Sequence, residues 1–119
     1  PPRCEVDFAS MGDAAAKRCF ALVSHLREGG VAAQCDTVGR GLKAQMKYAD
    51  KIGARYTVVV GDNELETGVA GLKDMQTGDT KDIALDDSLY TTLYNLSLDR
   101  QLADMADLFG EELQNGIQE

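Results

Sequence analysis

Apolar residues alternate with acids at the start of the chain. Cys4, Val6 and Phe8 are separated by Glu5 and Asp7, the period-two pattern of a strand with one buried face. From Ala14 to Glu28 the period lengthens to that of a helix. Ala16, Cys19, Phe20, Val23 and Leu26 share its apolar side, and Gly29-Gly30 ends it. Val31 to Cys35 reads as a second short strand. Leu42, Met46, Ala49 and Ile52 then form the stripe of a second helix, stopped by Gly53. Arg55-Tyr56-Thr57-Val58-Val59-Val60 is β-branched and nearly all apolar, the composition of a mid-sheet strand covered on both faces.

Gly61-Asp62-Asn63 supplies turn chemistry after this strand. Thr67 to Asp74 and Thr80 to Leu85 flank Gln76-Thr77-Gly78-Asp79, a hairpin with Gly78 at a positive φ. Asp86-Asp87-Ser88 caps a helix through Leu89, Tyr90, Leu93 and Tyr94, and Leu98, Leu102, Met105, Leu108, Phe109 and Leu113 continue the helical spacing. The order strand, helix, strand, helix, strand, hairpin implies right-handed crossovers building a parallel core with antiparallel strands added. The expected fold is mixed α/β. Residues 1–96 form the domain, and 97–119 an acidic amphipathic helical extension of it.

At 119 residues one domain can bury a core without staples. The apolar fraction of 44% and charged fraction of 27% are ordinary for a globular protein. No apolar run approaches the ~20 residues that span a bilayer, so a membrane protein is not expected. Cys4, Cys19 and Cys35 show no CxxC pairing, which suggests neither a disulfide framework nor zinc; all three read as reduced, buried thiols of a cytoplasmic protein. The start Pro1-Pro2-Arg3, without initiator Met or signal pattern, suggests a domain cut from a longer protein at a linker.

Charge changes the picture most. Between Arg40 and Arg55 lie five basic residues (Arg40, Lys43, Lys47, Lys51, Arg55) and one acid, a local charge of +4 that leaves −12 on the rest of a chain whose net charge is −8. Lys43, Lys47 and Lys51, at i, i+4 and i+8, would rise about 6 Å apart along one helix face, a spacing that roughly follows a nucleic-acid backbone. A solvated face opposite any apolar stripe would look the same. From Asp82 to Glu119 there are nine acids and one base, a segment unsuited to RNA.

Other chemistry is sparse. Gly39-Arg40-Gly41-Leu42-Lys43-Ala44 fits a relaxed dinucleotide pattern, with Asp62 and Glu64 roughly twenty residues on, but Asp36-Thr37-Val38 separate it from the strand. His25, the one histidine, falls off the apolar stripe and reads as solvated. Glu64 with Glu66, and Asp86 with Asp87, read as turn and cap residues. Gly61-Asp62-Asn63-Glu64 follows the buried strand, which places its side chains at the carboxyl edge of the sheet. There a carboxamide and a carboxylate could meet exposed base edges.

Leu26-Arg27-Glu28-Gly29-Gly30-Val31, the run from Gly39 through Lys47-Tyr48-Ala49-Asp50-Lys51-Ile52-Gly53-Ala54-Arg55, Val60-Gly61-Asp62-Asn63-Glu64-Leu65 and Gly68 to Gly78 together resemble the C-terminal anticodon-binding domain of histidyl-tRNA synthetase. The resemblance covers roughly Glu5 to Leu93. It implies a five-stranded mixed sheet flanked by helices, of the class II synthetase anticodon-binding type, that grips the anticodon stem-loop of tRNA(His). It implies no catalytic residue, metal or cofactor in this fragment. Histidine activation with ATP and Mg would belong to a separate catalytic domain of a homodimeric, cytoplasmic parent ligase.

By motif matching, the resemblance implies that Glu64 and Lys73 help read anticodon bases and that Arg40 and Lys43 contact backbone or base. The expected site is Arg40, Lys43, Lys47, Lys51, Asn63, Glu64 and Lys73, with the three helix lysines on phosphates. Neither DNA nor a membrane is an expected partner. An acidic chain with few phosphate contacts should bind tRNA weakly and salt-sensitively by itself. Two alternatives stay open: a synthetase-derived regulatory or interaction module without aminoacylation, and a nucleotide-binding enzyme domain built on Gly39 and Gly41.

Overall fold

The computed structural model describes residues 4–117, with side-chain burial through residue 110. Expectations resting on Pro1-Pro2-Arg3, the Leu113 side chain and Glu119 lie outside these. In chain order the elements are β1 (Cys4–Ser10), α1 (Asp13–Glu28), β2 (Ala33–Cys35), α2 (Leu42–Lys51), β3 (Ala54–Val60), α3 (Asp62–Thr67), β4 (Val69–Asp74), β5 (Thr80–Ala84) and α4 (Ser88–Ile117). They build one five-stranded sheet in the order β2-β1-β3-β4-β5. β1 pairs in parallel with β2 and β3, while β3–β4 and β4–β5 are antiparallel. The β-branched run of β3 thus occupies the middle strand. Gly78 closes the β4–β5 hairpin at φ 80°, where a Cβ would be strained.

Right-handed crossovers set α1 and α2 on opposite faces of the parallel strands. The main core lies between the sheet and α1 with the first turns of α4: Val6, Phe8, Val58, Val60 and Leu72 meet Cys19, Leu22, Leu26, Leu89 and Leu93. Each such large side chain contributes about 1.5–3 kcal/mol on burial. On the other face Ala49 and Ile52 of the α2 region pack on Cys4 and Ala54. Cys4 and Cys19 are buried free thiols, pushed by burial up to about 11 and about 12; Cys35 is half-buried and also free. No helix of the described residues is long and apolar enough to cross a membrane.

Three local expectations are corrected. β1 is buried on both faces, Glu5 and Asp7 included, because it lies between two strands with a helix above and below. Its alternation is also interrupted. The Glu5 and Val6 N–H groups both donate to the Ala32 carbonyl, at 2.7 and 3.3 Å, just before β2 begins. Accordingly Cys4 packs toward α2, whereas Glu5 meets α4. In α1 the buried positions are Ala15, Cys19, Leu22, Val23 and Leu26, so Phe20 faces out. The expected turn at Gly61-Asp62-Asn63 is the start of the short helix α3.

Asp7 gives the fold a pH signature. Burial raises its carboxyl to about 6; the Asp36 charge adds to this and the Arg40 charge opposes it. The folded value exceeds the ordinary 3.8, so the native state holds the proton more tightly. The associated stability is full below about pH 4 and is lost as pH rises through about 6. Asp7→Asn should therefore stabilise the domain at pH 7 by roughly 2–3 kcal/mol and flatten the denaturant midpoint between pH 4 and 6. An unchanged profile in the variant would assign that titration elsewhere.

Candidate nucleic-acid interface

β1 and β3 end side by side, joined where the Met11 N–H donates to the Val60 carbonyl at 2.9 Å. The β2–α2 loop is pinned against this carboxyl edge by Gln45, whose side chain is only 2% exposed. Its Nε2 donates to the carbonyls of Ser10 (2.9 Å) and Arg40 (2.6 Å), and its Oε1 accepts the Ser10 N–H at 2.8 Å. A buried carboxamide is stable only when satisfied in this way. The spacing of apolar residues predicts Leu42, Met46, Ala49 and Ile52 on the buried face of α2. The structure buries Gln45 and Ala49 and leaves the other three half-buried.

The loop holds Arg40 in a fixed position. Gly39 takes φ 78°, and the Asp36 carboxylate accepts hydrogen bonds from Arg40 N and Nε, each at 2.8 Å. Partial burial works to raise the Asp36 carboxyl, but the Arg40 hydrogen bonds and charge outweigh it and keep it below the ordinary range. The guanidinium also stands 4.9 Å from the centre of the Tyr48 ring, a cation–π contact. Asp36 thus occupies the loop where a pyrophosphate would have to lie, which speaks against the dinucleotide reading of Gly39 and Gly41.

On the far side of the β1 terminus, α3 carries the other polar pair. Glu64 Oε1 accepts the Gly61 N–H at 2.8 Å, and its Oε2 accepts from Asn63 Nδ2 at 3.2 Å. These bonds, that from Asn63 first, hold the Glu64 carboxyl below the usual range. Asn63 is exposed and Glu64 half-buried. Glu64 therefore does two things: it caps its own helix and stands at the rim.

Lys43, Lys47 and Lys51 are exposed on the side of α2 away from Gln45 and Ala49. At about 1.5 Å per residue they descend some 12 Å from the rim toward the opposite edge. The fold thus assembles Arg40 and Lys43 on one side of the β1 terminus, and Asn63 and Glu64 on the other. Lys47 and Lys51 trail down the flank. Lys73 stands apart: exposed on β4, it pairs with Thr57, three residues below the end of β3, and so lies about 10 Å from the rim.

Two rim residues escaped the sequence reading. Phe20, 60% exposed, and Val38, 75% exposed, line an open groove with Lys17, Thr37 and Gly39 beside Ser10. The signal was available for Phe20: Ala15, Cys19, Leu22 and Leu26 already make a complete helical stripe, from which position 20 is rotated about 100° beyond Cys19. His25 is exposed, its ring edge-on to Tyr90 at 6.3 Å. Among the described residues no cluster of His, Cys, Asp and Glu could hold a metal ion.

Comparison with known proteins gives the family to which this fold belongs. Residues 5–91 match the family described as anticodon binding domain. Histidine–tRNA ligase of Acetivibrio thermocellus is 48% identical over 82 residues, which are 69% of this chain and 20% of the ligase. That of Clostridium perfringens is 46% identical over 86 residues, 72% of this chain and 21% of the ligase. The chain therefore spans about one fifth of the length of these relatives. Among solved structures, histidyl-tRNA synthetase of S. aureus superposes with a TM-score of 0.73 at 38% identity, covering 77% of this chain and 27% of the synthetase. The RNA binding domain of threonyl-tRNA synthetase from Cryptosporidium parvum shares the fold at 15% identity, with a TM-score of 0.68 over 78% of this chain and 23% of that one. The chain belongs to the anticodon-binding domain family of class II aminoacyl-tRNA synthetases, in its histidyl-tRNA synthetase form.

Proposed function

We propose that this domain binds the anticodon stem-loop of tRNA(His) across the carboxyl rim of its sheet, with the α2 lysines on the phosphate backbone. The observation that carries the reading is the convergence of Arg40, Lys43, Asn63 and Glu64 around the end of β1, with Lys47 and Lys51 continuing from it. Phosphate contacts set orientation and base-edge contacts select. Unpaired loops are read by polar groups on splayed bases and by aromatic stacking, for which the exposed ring of Phe20 offers a face. Lys73, at its distance from the rim, suits a flanking backbone contact better than a base. Histidine activation with ATP and Mg, and a homodimeric parent, belong by this reading to the remainder of a longer ligase.

The test compares hairpins carrying the histidine anticodon or a changed one. Glu64→Gln, which keeps an acceptor for the α3 cap, should reduce the preference for the histidine anticodon by about tenfold. Lys47→Ala should weaken every hairpin alike, with a shallower dependence on salt. Equal losses on all hairpins from both changes would end this division of labour. Phe20→Ala should lower hairpin affinity at least fivefold and Phe20→Trp should preserve it, since stacking on one base is worth about 1–3 kcal/mol. Unaltered binding by Phe20→Ala would remove that ring from the interface.

A further inference from the structure

The helix α4 carries two apolar faces, and only one of them meets the sheet. Leu89, Leu93 and Leu96 turn toward the core, and Arg100, next on the same side, reaches Glu5 at 2.6 and 2.7 Å. Tyr94, Leu98, Leu102, Met105, Leu108 and Phe109 are all exposed. At about 100° per residue these six form a stripe centred some 160° from the first face, so the domain's own sheet cannot cover it. The stripe begins just beyond residue 91, where the family match ends. It is an addition to the shared domain rather than part of its core. A continuous apolar patch of six large side chains on an acidic chain marks a place of association.

The charges around the stripe choose the occupant. Asp99 borders one side and Asp104 the other, Asp107 follows behind, and all three are exposed. The basic residue of this stretch, Arg100, is already committed to Glu5. A second copy of the chain would bring the same acids against these and add its own net charge of −8, an arrangement that like-charge repulsion at the flanks of a helical seam disfavours. An anionic membrane is repelled in the same way. We infer that the outer face of α4 docks an amphipathic helix of another protein, apolar along its seam and lined with lysine or arginine on both flanks. This interface lies on the helix that leaves the body of the domain, and it does not depend on the RNA reading.

Two designed helical peptides sharing one leucine seam, flanked in one by lysines and in the other by glutamates, serve as probes in fluorescence anisotropy with the 119-residue chain. The lysine-flanked peptide should bind at least tenfold more tightly, and rising salt should erode the difference. The double variant Leu102→Gln/Met105→Gln should lose that binding while keeping its far-ultraviolet dichroism, its melting temperature and its affinity for the anticodon hairpin. Equal binding of both peptides, no binding of either, or binding that survives the double variant would overturn the proposal. So would a concentration-dependent dimer of the chain, in analytical ultracentrifugation, that the same double variant abolishes.

Discussion

Arg100→Leu should lower the thermal midpoint of the domain by about 10 °C. Glu5, 6% exposed in the first strand, accepts both guanidinium nitrogens of Arg100, at 2.6 and 2.7 Å. This two-pronged geometry is the strong form of the carboxylate–arginine pair. Removing the arginine leaves a carboxylate inside the fold without its partner, which costs about 3 kcal/mol or more. In a domain of this size that corresponds to roughly 10 °C. Arg100→Lys should recover only part, because an ammonium cannot reproduce the fork. The double change Glu5→Gln/Arg100→Leu should recover more than either single change predicts, because it removes the stranded charge together with its partner. Calorimetry of the wild type, Glu5→Gln, Arg100→Leu and the double variant measures the coupling directly; an unchanged midpoint for Arg100→Leu would mean that Glu5 is solvated.

The second large effect is electrostatic and should leave the fold untouched. Replacing Lys43, Lys47 and Lys51 together by alanine removes three exposed cations from one side of α2, where surface changes alter stability by only about ±0.5 kcal/mol. If each neutralises one phosphate of a looped RNA, the slope of log affinity against log salt should shrink by about 2, from roughly 0.7 per contact. The loss should be greatest at low salt, on the order of a hundredfold, and should fade as salt rises, because a counterion atmosphere screens what the lysines neutralise. A triple variant with the wild-type slope would show that the stripe faces only solvent.

Much of the fold was legible because local pattern and tertiary environment agree. The apolar run Tyr56 to Val60 could only be a covered strand, and Gly78 in a four-residue turn announced the hairpin. The α2 lysines followed from spacing alone. What failed depended on distant partners. Nothing near Glu5 announces that it will be buried, because its partner lies 95 residues away on a helix whose direction is set by the hairpin. Gln45 reads as a surface residue until the end of β1 supplies the Ser10 backbone groups that satisfy it. The separation of Lys73 from the rim follows from the antiparallel entry of β4 beside β3, a feature of sheet order that motif matching does not carry. By contrast, a glycine before Asp62 with a glutamate three residues on was a readable helix start at α3.

In the proposed function the anticodon loop sits on the carboxyl rim, from Arg40 across the end of β1 to Glu64. Titrating a histidine-anticodon hairpin into isotopically labelled protein and following the backbone amides tests it most directly. The largest shifts should fall at Ser10 to Gly12, Asp36 to Lys47 and Gly61 to Glu64, and diminish when the anticodon is changed. Shifts confined to the β4–β5 hairpin or α4, with the rim silent, would contradict it.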